Sequence, residues 1–393
     1  MDRGVNSEST FAAALAALPL LGPHRLRKLL SYHVPSEAWA VVRAEHRAHA
    51  SVEALFAREF LGHKLRERAT DSHLQSVRGR CLSSDIHATY IGDGQYPAVL
   101  ATDIAAPAVL FWCGDLNALT QRRVGIIGTR AATAAGRYMA SQLAHDLTNQ
   151  GVAVVSGLAR GIDAWAHRGA MQAVLHAGTL STTAPTTIGP PVAVVASGLD
   201  VVYPRENAQL WDQVHKHGVV LSESPPGTLP EAFRFPLRNR ILAALCEVLV
   251  VVESRVVGGS MITVEEAQKR DVTVMAVPGS PRSSSSAGTN LLLQQGCAPV
   301  VDAADVLVAL GLDHRRCFPN TFDPRRPPSA SDQLVLDAFG HGSFGNDAVT
   351  LDQLMMRTKI DLVAMALALG RLEADGWVVN NAGWWEAVGP SRA

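Results

Sequence analysis

The sequence predicts an α/β protein with a doubly wound, mostly parallel sheet, a helical N-terminal region before it and a small C-terminal unit after it. Three observations carry that expectation. β-rich apolar runs at 124–128, 152–155, 192–196, 219–222, 248–252 and 272–277 alternate with helical patterns, as parallel βα units require. Two of these runs end in loops that bear glycine and arginine and open a helix. The composition, 47% hydrophobic and 18% charged over 393 residues, is that of a folded chain of two or three domains rather than a disordered one.

Residues 10–80 read as helices, because Leu15, Leu18, Leu26, Leu29 and Leu30 recur at helical spacing, broken by Pro19 and Gly22-Pro23. The piece from Leu18 to Leu30 has the form of a helix-hairpin-helix, which either holds a DNA phosphate on its turn amides or only packs. The apolar run Phe11–Gly22 is too short for export or for a membrane span, with Asp2 and Glu8 offsetting Arg3. From Ile91 to Leu119 a connecting stretch with Tyr96-Pro97 leads into the sheet.

The first glycine-bearing loop closes Val124-Gly-Ile-Ile-Gly-Thr-Arg130 and precedes a helix from Thr133 to Asn149. Gly128 lets a backbone approach a ligand, the helix start offers unpaired N–H groups, and Thr129 and Arg130 add a hydroxyl and a charge. The second loop, Ser156-Gly-Leu-Ala-Arg-Gly-Ile-Asp163, repeats the device with Gly157, Arg160 and Gly161 before a helix through Ala173. Loops after successive strands of a parallel sheet open on one edge. The alternative is glycines that serve only tight βα turns. Neither loop is GxGxxG or GxxxxGK[ST], so nothing points to a dinucleotide or a nucleoside triphosphate.

Downstream, Phe235-Pro-Leu-Arg-Asn-Arg240 reads as a non-helical stretch in which Arg238 and Arg240 can reach one anion together, with Asn239 holding the guanidinium forks or reading a base edge. A solvated loop with an internal salt bridge is the bland reading of the same residues.

Taken in order, these residues resemble the DprA/Smf family, DNA-processing proteins that bind single-stranded DNA and pass it to RecA. The resemblance runs through Gly128-Thr-Arg130, Ser156 to Asp163 with Ala166-His167, Gly198-Leu-Asp200, Tyr203-Pro204 with Asn207, Ser222-Glu223 and Phe235 to Arg240. It continues through Gly258-Gly-Ser260 with Thr263, Val277-Pro-Gly279, and Gly288 with Asn290 and Gly296. It is specific over residues 96–302 and weaker at both ends. It implies an extended Rossmann-like core that forms homodimers, protects incoming or processed DNA and loads RecA for recombination or natural transformation, in the cytoplasm and without a cofactor. The residues it assigns to DNA phosphates are Gly128, Thr129, Arg130, Ser156, Gly157, Arg160, Gly161, Arg205, Asn207, Arg238, Asn239, Arg240, Gly259 and Ser260.

The chain departs from the family pattern in places. Thr129 replaces the usual serine and keeps the hydroxyl; Arg205 replaces a lysine; Val257-Gly258 replaces Lys-Ser, and Asp271-Val272 a Gly-Arg. Losing the lysine removes a phosphate contact, for which Arg255, two residues earlier, is positioned to compensate. Thr179 to Pro191 reads as an inserted surface loop rich in threonine and proline.

Domain boundaries follow at 1–85 for the helical N-terminal domain (helix-hairpin-helix or SAM-like), 86–315 for the core, 316–330 for a proline-rich linker and 331–393 for the last domain. Helical patterns at Asp332–Phe339, Leu351–Arg357 and Asp361–Asp375, with a hairpin around Asn380-Asn-Ala-Gly383, make a winged helix with Asp361–Asp375 as recognition helix. Charge argues against duplex reading there. From Ser331 to Ala393 eight acids stand against four bases, a net of −4, and the recognition helix has Arg371 as its one base. A protein contact, or packing, is the better expectation. The tryptophans Trp377, Trp384 and Trp385 fit a small core better than base stacking.

A net charge of −1 excludes a broadly basic polyanion-coating surface, so any nucleic-acid site is local. Five scattered cysteines without a CxxC pair read as a reducing compartment with no metal site. Asp163 and His167, four apart, are expected to tie loop to helix rather than to form a catalytic set with Ser156. A second function class stays open: Gly258-Gly-Ser-Met-Ile-Thr-Val-Glu-Glu266 loosely resembles the glycine-rich loop and catalytic glutamate of LOG-type nucleotide phosphoribohydrolases, without their proline and their glycine before threonine. The binding protein is the preferred reading, with no catalytic residue.

Overall fold

A computed structural model describes residues 7–56, 59–179, 188–312, 325–339, 348–381 and 383–388. The N-terminal region forms α1 (Glu8–Ala16), α2 (Pro23–Leu30), α3 (Pro35–Val42), α4 (Ala50–Phe56), α5 (Glu59–Arg68) and α6 (Asp71–Ser83). Gly22-Pro23 breaks α1 from α2 as expected, with Pro23 at the first helical position, where its missing N–H is harmless.

The stretch expected as a plain connection adds structure. After β1 (His87–Tyr90) and α7 (Ala98–Ala101) comes β2 (Val109–Gly114), antiparallel to β1 and to a core strand. Its first five residues, Val109-Leu-Phe-Trp-Cys113, are all buried, so no alternation of polar and apolar positions announces it.

The core alternates as the sequence indicates: β3 (Arg123–Gly128), α8 (Ala134–Asn149), β4 (Ala153–Ser156), α9 (Ile162–Thr179), β5 (Pro191–Val195), α10 (Ala208–His217), β6 (Val219–Ser222), α11 (Arg234–Leu245), β7 (Val248–Glu253), α12 (Gly259–Gln268), β8 (Thr273–Ala276), α13 (Ala287–Gln294), β9 (Ala298–Pro299) and α14 (Ala303–Ala309). The nine-stranded sheet has the order β1-β2-β6-β5-β4-β3-β7-β8-β9, parallel from β6 to β9. The chain winds outward from β3 to β6, and α11 then carries it back to set β7 beside β3. That reversal creates a crevice at the carboxyl ends of β3 and β7, where open α/β sheets take their ligands.

Apolar layers cover both faces. Leu143 and Leu147 of α8, Ile162 of α9 and Leu307 of α14 pack on Ile126, Val154 and Val250. Ile241 and Leu242 of α11, Val264 of α12 and Leu292 of α13 pack on Ile127, Val155 and Val251 from the other side. The N-terminal helices extend one layer, since Leu15, Leu29 and Trp39 share a cluster with Phe111, Trp211 and Val220.

The segment Phe235–Arg240, expected to be non-helical, lies inside α11. Pro236 falls in the first turn, where a missing N–H breaks no helical bond, and Ile241, Leu242 and Leu245 are buried at helical spacing behind it. Residues two apart on a helix diverge by about 200°, so Arg238 and Arg240 face different surroundings.

The C-terminal unit contains the expected three helices, α15 (Ala330–Asp337), α16 (Leu351–Thr358) and α17 (Leu362–Ala374), and the hairpin β11 (Val378–Asn381) with β12 (Trp384–Ala387). A short β10 (Val349–Thr350), too brief to show a period, pairs with β12. Arg325 fixes the unit to the core: its guanidinium lies 3.7 Å from the Trp377 ring and 4.5 Å from the Tyr138 ring of α8, and it donates to the carbonyls of Gly376 and Val388. Residues 316–324 of the expected linker and 180–187 of the expected surface loop lie outside the described residues. No helix among the described residues is long and apolar enough to cross a membrane.

Candidate nucleic-acid interface

At the switch point opens a cleft of about 630 Å³, lined by Gly128, Arg130, Ala159, Asp163, Tyr203, Phe235, Arg238, Asn239, Gly259, Ser260 and Thr263 among others. The loops after β3, β4 and β7 and the first turns of α11 and α12 therefore converge, as their common edge demanded.

The β3 loop is built around a close approach. A Cβ at Gly128 would stand 2.6 Å from the Glu253 carbonyl oxygen and from Ile162, so only glycine lets β3 and β7 end side by side. Thr129 N–H donates to that same carbonyl (2.7 Å), and the Thr129 hydroxyl accepts from Ala131 N–H. Arg130 is exposed, and its guanidinium sits 4.7 Å from the centroid of the Phe235 ring, which is 5.9 Å from the Tyr203 ring. Among the described residues Arg130 makes no hydrogen bond or ion pair.

The helix start behind this loop has two of its amides, Thr133 N–H and Gly136 N–H, already engaged within the chain. Thr133 caps α8 by accepting from Gly136 N–H, and the buried Glu253 carboxylate accepts from both Thr133 N–H (2.9 Å) and the Thr133 hydroxyl. Burial pushes the Glu253 carboxyl up and the Thr133 bonds pull it back. A carboxylate of the chain itself thus occupies the place foreseen for a ligand anion.

The second loop is likewise committed inward. Ser156 donates to the Ile126 carbonyl (2.7 Å), and Gly157 N–H donates to the buried Asp163 carboxylate. Gly157 must be glycine because a Cβ there would overlap the Arg238 guanidinium. Gly161 has φ +73° and lies against the Thr129 carbonyl. Arg160 is exposed but paired with Glu206 at 2.8 Å. His167 is fully buried without a side-chain partner, and burial pulls it down to about 4. Asp163 ties this loop to α9 as expected, accepting from the Gly157 and Ala159 N–H groups, but its charged neighbours are Arg238 and Arg130 rather than His167.

Arg238 and Arg240 do not share an anion. Arg238 is buried, donates to the carbonyls of Gly157 (2.9 Å) and Val194, and neighbours Asp163. Burial pulls its pKa down while Asp163 holds it up; for Asp163 burial raises the pKa while Arg238 lowers it. Arg240 donates to the Glu223 carboxylate (2.5 Å) and the Ala105 carbonyl. Asn239 donates to the Gly259 carbonyl (3.3 Å), and buried Asn207 to the Leu158 carbonyl (2.9 Å). Most of this polar set is spent on hydrogen bonds within the chain, so that it forms the walls of the cleft with few donors left over.

Three features remain open. The start of α12 carries no side-chain cap, and a Cβ at Gly259 would meet nothing within 4 Å, so Gly259 presents free space to the cleft; Ser260 lines the cleft beside it with its hydroxyl 2.8 Å from that of Ser254. Arg205, exposed in the turn after Tyr203-Pro204, and Arg255, exposed beside Val257, have no ion pair or hydrogen bond from their guanidinium among the described residues. Sequence reasoning missed Phe235 and Tyr203 as ring surfaces under the free arginine; an aromatic next to a loop arginine was the available signal. Neither Glu265 nor Glu266 lines the cleft. Glu266 is held by Lys269 and by Arg270, which also binds Asp103.

The fold and this crevice define a doubly wound α/β protein with its ligand cleft at the switch point of the sheet. Residues 87–311 match the family model described as DNA recombination-mediator protein A, and the chain belongs to this DprA/Smf family of DNA-processing proteins. It is 38% identical over 226 residues to the DNA processing protein DprA of Bacillus subtilis, covering 57% of this chain and 71% of that one. It is 30% identical over 287 residues to the protein Smf of Escherichia coli, 72% of each chain. The X-ray structure of DprA from Streptococcus pneumoniae superposes with a TM-score of 0.61 at 29% identity, covering 77% of this chain and 98% of that one.

Proposed function

We propose that the cleft binds single-stranded DNA, with Arg130 and Arg205 on phosphates, the open start of α12 at Gly259 and Ser260 taking a further phosphate oxygen, and the rings of Phe235 and Tyr203 stacking on bases. The observation that carries this reading is the exposed Arg130 guanidinium laid on an aromatic ring and facing an uncapped helix start across one cleft. Cation, amides and ring surface suit a flexible strand whose bases are unstacked, while a duplex keeps its bases inside. Family membership supports the DNA part of the reading. Handing the strand to RecA and acting as a homodimer are expectations that the family resemblance adds.

The protein acts by binding and not by catalysis. The engagement of Glu266 with Lys269 and Arg270 favours this over base release by a nucleotide glycosidase. A gel-shift series with single-stranded, duplex and mononucleotide ligands tests the reading. Preferential retention of the single strand, weakening as salt rises, is expected; retention of the mononucleotide with base release would overturn it.

A further inference from the structure

The start of α11 separates two cavities. Phe235 and Asn239 line the cleft described above, while Phe233, Leu237 and Ile241, at helical spacing, line a second cavity of about 360 Å³ on the other side. The turn between α1 and α2, from Leu18 to Pro23, closes this cavity from above, and Glu223, Ser224 and Thr228, just past β6, supply polar groups to its wall. Its mouth is apolar and open, with Leu20, Phe233 and Leu237 49%, 57% and 43% exposed. The ridge between the two cavities, at Ala232, Phe233, Pro236 and Leu237, is exposed as well, so a strand held in the first can cross to the second.

The polar wall is short of protons. The Ser224 hydroxyl donates to the Ala196 carbonyl (3.1 Å) and the Thr228 hydroxyl to the Pro225 carbonyl (2.6 Å), so both keep only lone pairs for a ligand. The Glu223 side chain is 16% exposed; its Oε2 accepts from Arg240 at 2.5 Å, and among the described residues its Oε1 accepts no hydrogen bond. Burial pushes this carboxyl up and Arg240 pulls it back, so a further donor on Oε1 would relieve a charge that is costly to bury. Donors reach the cavity wall on Arg238 and Arg234. Arg238 is spent on two carbonyls and Asn239, and Arg234 lies 4.9 Å from the Phe233 ring centroid with its Nε on Glu231 (2.9 Å). Two guanidinium groups oppose the entry of a cationic side chain, whereas a neutral flat ring that carries an N–H donor meets both the ring surface and the acceptor.

We propose that this cavity is a base pocket of the DNA site, one that takes a nucleobase with an exocyclic amino group, cytosine or adenine, in preference to thymine. The amine donates to Glu223 Oε1, the base lies on Phe233 and Leu237, and Arg234 meets the adjoining phosphate. Thymine would turn its O4 acceptor to the same carboxylate. The inference rests on the single-strand reading of the neighbouring cleft. To test it, fluorescein-labelled oligo(dC) and oligo(dT) of equal length are titrated into the full chain above neutral pH, where cytosine is uncharged, and followed by fluorescence anisotropy. Wild type is expected to bind oligo(dC) about fivefold more tightly or better, the order that one hydrogen bond to a charged acceptor supplies. Glu223→Gln, whose amide oxygen can stay on Arg240 while its NH2 faces the cavity, should bring that ratio below about two or reverse it. Phe233→Ala, at an exposed position, should also bring it below about two, and it decides the matter if circular dichroism shows Glu223→Gln to be unfolded. Arg130→Ala, in the other cavity, should weaken both strands and keep their ratio. A wild-type ratio below about two, or a wild-type ratio retained in either folded variant, overturns the proposal. If the strands bind equally and both weaken in Arg130→Ala, the pocket fails and the cleft reading stands; if wild type retains neither strand, both fail.

Discussion

Replacing Arg238 by alanine separates a residue that builds the cleft from one that meets the ligand. The guanidinium donates to the carbonyls of Gly157 and Val194 and stands beside the buried Asp163 carboxylate. Its removal strips two carbonyls of a donor and leaves a buried anion without its cation. Breaking a buried charge pair from one side costs about 3–5 kcal/mol, against a total stability of about 5–15 kcal/mol for a domain. Asp163 has one escape: burial already pushes its carboxyl up, and without Arg238 it rises further and the group takes a proton. The loss relative to wild type should therefore be greatest near neutral pH and shrink on acidification, because an acid with a raised folded pKa favours the folded state at low pH. Urea unfolding at several pH values measures this, with the slope m showing whether the same surface is exposed. If Arg238→Ala matched the wild type in stability within about 0.5 kcal/mol and lost single-strand affinity alone, the assignment of Arg238 to the scaffold would be wrong.

Other consequences can be checked with the same protein. His167, held down to about 4 by burial, should make stability full above pH 6.5 and progressively lost as pH falls from there through about 4. The size of that loss is about 3 kcal/mol at most, and a His167→Leu variant should flatten this part of the stability curve in thermal or urea titrations. Deleting residues 330–393, with their net negative charge, should leave most of the DNA affinity in place; a collapse of affinity in a truncated chain that remains folded would refute this. Glu265→Gln and Glu266→Gln should leave strand binding nearly unchanged, and neither variant nor wild type should release base from nucleoside monophosphates in a chromatographic assay.

The alternation of strands and helices was legible because six β-rich runs stand between helical patterns with few interruptions, and each appears within a residue or two of its expected place. The site was legible only as a neighbourhood. Glycine and arginine at strand ends told which loops would meet, since a parallel sheet brings its carboxyl ends together. Sequence could not tell which polar groups face the cleft and which hold it shut. Arg238 and Arg130 are the same residue type near the same glycines, yet one is spent on two carbonyls and the other lies open on a ring. Arg238 is turned inward by its place in α11, whose first turn admits Pro236, and by carbonyls 81 and 44 residues away, just as Glu253 reaches from β7 to hold the Thr133 cap of α8. These are contacts between segments far apart in the chain. β2 escaped for another reason: a strand buried on both faces has no period to read.

The most direct test of the cleft is a pair of equilibrium titrations by fluorescence anisotropy, in which wild type and Arg130→Ala are each presented with a single strand and with the duplex of the same sequence over a range of salt. Wild type should prefer the single strand. Arg130→Ala should lose about 1–3 kcal/mol of that affinity and about one unit of salt slope while unfolding at the wild-type urea concentration. Equal or tighter binding of the duplex, or a strand affinity indifferent to Arg130, would contradict the assignment of this cleft to single-stranded DNA.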